Sequence, residues 1–112
     1  MKSRTLLNGW IFSGVLFFAL TGCSSAENRK PVAHTIEIRG MQFLPGELLA
    51  QKGDTVIWVN HDIVTHDITE QASKAWSSSS LPTGKSWSKV IENSLDYYCS
   101  IHPVMKGRVV VR

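Results

Sequence analysis

Residues 97–112 read Tyr-Tyr-Cys-Ser-Ile-His-Pro-Val-Met-Lys-Gly-Arg-Val-Val-Val-Arg, one strand-like run ending at Cys99 and another beginning near Gly107. Between them Cys99, His102 and Met105 bring a thiolate, an imidazole and a thioether into seven residues. A short connection between two strands folds back on itself, so its side chains converge. No other stretch constrains the chain as much: the flanking strands must pair, and three donor atoms must gather at one end of them.

Thiolate and thioether donors favour copper, and two His with one Cys and a weak axial Met form the copper site of electron-transfer proteins. The loop supplies three such donors. The fourth must come from His34, His61 or His66. His66 is best placed, in Val64-Thr65-His66-Asp67-Ile68-Thr69 after the strand-like run Asp54–Asn60 and its turn. His61, beside Asp62, reads as a solvated turn residue, and His34 sits where a leading segment joins the domain. Alone, Cys99 would read as a small buried hydrophobe and Met105 as core; their shared spacing with His102 favours ligation. Met41 is a further thioether, better suited to core or surface patch. Zinc is the rival metal, but structural zinc sites usually carry more thiolates, and catalytic ones keep a water position that Met105 would fill. Copper(II) also outranks zinc in intrinsic affinity.

Gly53-Asp-Thr-Val-Ile-Trp-Val-Asn60, then His66, then Cys99-x-x-His102-Pro103-x-Met105-x-Gly107 resembles the cupredoxins, with the Cys-x-x-His-x-x-Met spacing of the amicyanin branch. Ile101, Asp67 and Leu95 depart from that branch's usual proline, asparagine and aromatic residue. The resemblance implies one type 1 copper ion held by His66, Cys99, His102 and Met105, with Asp67, Asn60 and Ser100 supporting the ligands. Asp67 would accept a hydrogen bond from Ser100 or a nearby backbone N–H. It further implies that His102 is the electron port, within an apolar patch of Ile101, Pro103 and Val104, to which Phe43 or Leu81-Pro82 would add. The expected function is single-electron transfer between a redox donor and acceptor through a small transient interface, by a monomer and without enzymatic activity. The alternatives are copper delivery or storage, and a metal-free adhesion or assembly module. No methionine- or histidine-rich tract favours delivery.

Residues 1–22 begin with basic Met1-Lys-Ser-Arg4 and continue through the apolar run Ile11–Leu20, the pattern of a secretory signal. Leu20-Thr-Gly-Cys23 resembles a bacterial lipobox, implying cleavage before Cys23, a lipid on its sulfur and attachment to a membrane of the bacterial cell envelope, with the domain in the periplasm or otherwise outside the cytoplasmic membrane. Residues 23–33 then form a polar tether containing Pro31. Loss of Lys2 and Arg4 lowers the formal charge from +3 to +1, so nothing points to nucleic-acid binding.

The domain, residues 34–112, is expected to be all-β, a Greek-key sandwich of about seven strands. These are His34–Arg39, Glu47–Gln51, Asp54–Asn60, Thr65–Thr69, Ser86–Ile91, Leu95–Ser100 and Gly107–Arg112, with one helical turn possible over Glu70–Trp76. The expected core is Ile36, Ile38, Phe43, Val56, Trp58, Ile68, Val90, Tyr97, Val109 and Val111.

Overall fold

The computed structural model describes residues 9, 14–18 and 28–112. Most of the expected signal segment, Cys23 and residues 24–27 lie outside the described residues. Among the described residues no helix is long and apolar enough to cross a membrane.

The domain is all-β, with strands β1 (Ala33–Arg39), β2 (Gln42–Leu44), β3 (Glu47–Ala50), β4 (Thr55–Asn60), β5 (Thr69–Glu70), β6 (Ser86–Val90), β7 (Leu95–Tyr98) and β8 (Lys106–Val111). They form two four-stranded sheets, β2-β1-β4-β6 and β3-β8-β7-β5. Each sheet is mixed, because the chain changes sheets between β2 and β3 and between β3 and β4, leaving β1 parallel to β4 and β3 parallel to β8.

The additional strand is β2. It joins β1 through a two-residue turn in which Gly40 and Met41 both have positive φ, 56° and 61°. Methionine is an unusual occupant of such a turn, which hid the hairpin from the sequence pattern. The Asp62 carboxylate holds the turn by accepting from Gly40 N–H and Met41 N–H at 2.7 and 2.9 Å. The expected strand over Thr65–Thr69 shrinks to Thr69–Glu70, preceded by a single bridge between His66 and Leu81. The residues following Glu70 form bends rather than a helical turn.

β4 alternates, burying Val56, Trp58 and Asn60. Ile36, Ile38, Phe43, Ile68, Tyr97 and Val109 close the core around them, and Val111 packs at its margin. Val90 is not core: it is 53% exposed, and Ile91 is buried in its place. Pairing of Trp87 with Trp58 puts Trp87, Lys89 and Ile91 on one face of β6 and Val90 on the other. Tyr97 meets Phe43 and Trp58 edge-on at 4.8 and 5.3 Å between ring centroids. Its ring also lies over Gly107, where a Cβ would come within 2.2 Å of it. This contact seats β7 on β8 just below the Cys99–Met105 loop. Burial pushes the Tyr97 phenol up to about 12, partly opposed by the adjacent Trp58 indole.

At the end of the sandwich remote from that loop, Asp54 is fully covered. Arg29 donates to both its carboxylate oxygens at 2.8 and 3.0 Å, Val32 N–H and Gln51 N–H donate at 2.9 and 3.0 Å, and His34 Nε2 lies 2.8 Å away. Residues 29–32 therefore lie against the domain, and β1 begins at Ala33. These partners, Arg29 foremost, hold the Asp54 carboxyl far below the usual carboxylate range, with desolvation the weakest influence. A depressed folded-state pKa adds stability above about pH 4, the unfolded value, and that stability is lost as pH falls from there through the folded pKa. Asp54→Asn should be less stable than wild type at pH 7, and the difference in urea midpoint should narrow progressively below about pH 4. A difference independent of pH would contradict this role.

Candidate metal centre

β7 ends at Tyr98 and β8 starts at Lys106, so Cys99–Met105 caps a paired hairpin. Cys99 N–H donates to Met105 C=O and Met105 N–H donates to His102 C=O, both at 3.0 Å, which folds the loop inward. The segment between β4 and β5 contributes His66, which exchanges backbone hydrogen bonds with Leu81 at 3.2 and 2.8 Å.

Three donor atoms meet between these elements. His66 Nδ1 lies 3.2 Å from His102 Nδ1 and 3.7 Å from Cys99 Sγ, and His102 Nδ1 lies 3.9 Å from the sulfur. Cys99 and His66 are buried and His102 is partly exposed. The imidazole rings stand edge-on, 5.0 Å between centroids. Met105 is buried at the base of the loop, in the same cluster as Cys99.

The surrounding residues fix this arrangement. Asp62 Oδ2 lies 2.8 Å from His66 Nε2; with the proton on Nε2, donated to the carboxylate, the Nδ1 lone pair faces the other donors. Desolvation acts to raise the Asp62 pKa, but the hydrogen bonds from Met41, His66 and Gly40 outweigh it and leave the carboxyl below its ordinary value. Asn60 bonds Val64 C=O and Leu81 C=O, each at 2.9 Å, and accepts from Asp62 N–H at 2.9 Å. It supports the His66 loop without touching a donor atom. Asp67 N–H points to Cys99 Sγ at 3.4 Å, while the Asp67 carboxylate accepts from Ser100 N–H at 2.7 Å, from Thr69 Oγ at 3.0 Å and from Ser100 Oγ.

A first-row ion at about 2.0 Å from nitrogen and about 2.3 Å from sulfur fits inside this triangle. The donor set suits a cation, because two imidazole nitrogens and a sulfur converge within 3.9 Å and one ion can accept a lone pair from each. Among the described residues this is the single group of three or more His, Cys, Asp or Glu with such convergence.

His61 lies outside it, 3.5 Å from Glu37, and His34 is at the far end on Asp54. Ile101, Pro103 and Val104 are exposed beside His102, Val104 by 89%. Phe43 and Leu81 are core, so neither contributes to a surface patch. Sequence reasoning missed Asp62. The available signal was a carboxylate four residues before a histidine, on the same short loop.

No family model matches the chain. Amicyanin from Paracoccus versutus is 27% identical over 85 residues, 70% of this chain and 64% of that protein. The chain thus spans somewhat less than two thirds of this relative's length. Among solved structures, an oxidised proline-to-alanine variant of amicyanin is 30% identical with a TM-score of 0.66, covering 71% of this chain and 82% of that one. A reduced Cu(I) proline-to-glycine variant is 29% identical, with a TM-score of 0.67 and the same coverage. The chain belongs to the cupredoxins. In this cupredoxin, Asp62→Asn should weaken metal binding by about 10–100-fold, as loss of a carboxylate behind a ligand histidine typically does. Competition against a chromophoric chelator would measure it, and unchanged affinity would show that Asp62 only braces the Gly40-Met41 turn.

Proposed function

We propose that this cupredoxin binds one copper ion through His66, Cys99, His102 and Met105 and carries single electrons between redox proteins. The observation that carries this reading is the triangle of His66 Nδ1, His102 Nδ1 and Cys99 Sγ, with separations of 3.2–3.9 Å. Bound copper supplies reversible one-electron exchange between Cu(I) and Cu(II). The protein's part is to keep the donors still. Asp62 orients His66, the Asp67 backbone N–H and side chain tie Cys99 and Ser100 to the facing segment, and the paired hairpin sets the distance from Cys99 to Met105. Little nuclear rearrangement then accompanies a change of charge. Two sulfur donors and two imidazoles favour copper over zinc.

His102, partly exposed beside Ile101, Pro103 and Val104, is where an electron enters or leaves. A small apolar contact suits a partner that must bind and release quickly. The proposed role involves no bond-making on a substrate. The lipobox-like Leu20-Thr-Gly-Cys23 further supports a chain lipidated at Cys23 and held at a membrane of the bacterial envelope.

Voltammetry of the copper-loaded protein tests the carrier role: a reversible one-electron couple that disappears in Cys99→Ser supports it, whereas irreversible copper loss on reduction favours copper delivery. Asp67 places a carboxylate against the Cys99 end of the loop, which stabilises the more positive oxidation state. Asp67→Asn keeps an acceptor for Ser100 N–H but removes the charge, so the measured potential should rise; no change or a fall would contradict the assignment. Val104→Asp should slow electron exchange with a protein partner several-fold while leaving the visible spectrum unaltered, and unchanged kinetics would count against the apolar port.

A further inference from the structure

We propose that the Asp54 end of the sandwich is a docking surface for anionic lipid headgroups, so that the domain stands on its membrane with the metal centre facing away. The membrane's presence rests on the tethered reading above; which end faces it is read from the fold.

The chain enters the domain at this end. Arg29 is locked onto Asp54 by two hydrogen bonds, Val32 N–H adds a third, and Val32 C=O accepts from Thr55 N–H at 3.0 Å. The chain is therefore fixed to the domain from Arg29 onward, six residues after Cys23. Six residues extend at most ~20 Å. β4 alone, running from the Asp54 end to Asn60 beside the metal centre, is about 20 Å long. An anchor this short delivers the Asp54 end to the membrane and leaves the Cys99–Met105 loop too far up for ready inversion.

That end also displays cations. Lys30, Lys52 and Arg112 are exposed and form no ion pair among the described residues. Arg112 is fixed beside Gln51 because its N–H donates to Ala50 C=O at 3.1 Å. Lys52 occupies the turn before Asp54, where Gly53 N–H reaches Ile91 C=O at 2.8 Å. Glu92, exposed next to Ile91, tempers this charge, as does Glu70, which lines a depression with Glu92 and Asn93. Val32 and Leu49 stand among the cations, 44% and 52% exposed. Leu49 lines a shallow 270 Å³ depression with Arg29, His34, Gln51, Asp54 and Arg112. Lysine and arginine interleaved with single apolar side chains match an anionic headgroup layer, where the cations meet phosphate and the apolar groups enter the boundary region. A soluble acidic protein would match the charge equally but would not explain why the tether ends there.

The test uses the lipidated full chain, isotopically labelled and metal-free, on nanodiscs carrying a gadolinium-chelating headgroup. The discs are phosphatidylcholine alone or mixed with phosphatidylglycerol. On anionic discs the amides of Lys52, Gly53, Asn93 and Arg112 should broaden several-fold more than those of Ile101 and Val104. The combined variant Lys30→Glu, Lys52→Glu and Arg112→Glu should erase that difference while the chain stays on the discs. Equal broadening at both ends, stronger broadening at Val104, or a pattern indifferent to lipid charge and to the variant would overturn the proposal and leave the anchor intact. A chain that washes off neutral discs would instead defeat the anchor. The same broadening pattern, recorded with anionic vesicles at low salt, would then support or overturn the docking surface by itself.

Discussion

Holding two imidazole nitrogens and a thiol sulfur within 3.9 Å of one another is the constraint on which the rest of this structure depends. Buried polar atoms this close are costly unless a proton or a metal ion is shared between them. The protein must therefore hold them by other means. It does so with polar groups aimed from behind: Asp62 at His66, Asp67 at Ser100 and the cysteine sulfur, and Asn60 across the loop between β4 and His66. Each of these residues lies at a strand end or immediately beyond one, so the sheets set their positions.

The hydrophobic core serves the same end. Tyr97 packs against Phe43, Trp58 and Gly107, fixing β7 on β8 two residues before Cys99. Met105 and Cys99 belong to the same buried cluster, so the loop cannot shift without disturbing the interior. At the opposite end, Asp54 fastens the incoming chain through Arg29 and Val32. The two ends of the sandwich thus carry different chemistry, a metal-binding triangle at one and a sealed carboxylate amid exposed cations at the other.

Much of this was legible in the sequence. The loop Cys99-x-x-His102-x-x-Met105 carries its own spacing, and the alternation in Asp54–Asn60 identified β4 and its inward residues. What escaped depended on contacts between distant segments. Val90 and Ile91 are both apolar, and only the register Trp58 to Trp87 decides which faces inward. Gly40-Met41 does not announce a hairpin, because the turn is held by Asp62 from another loop. Arg29 reads as tether, since its partner Asp54 lies 25 residues away. His61 and His34 were separable from His66 by position, yet the carboxylate behind His66 emerges only when the loop is folded.

The most direct measurement is the visible absorption spectrum of the protein loaded with copper(II), beside Cys99→Ser. A type 1 copper site gives an intense thiolate-to-copper charge-transfer band that reductant bleaches, oxidant restores and the variant lacks. A weak tetragonal-type spectrum, or failure to hold copper(II) at all, would contradict it.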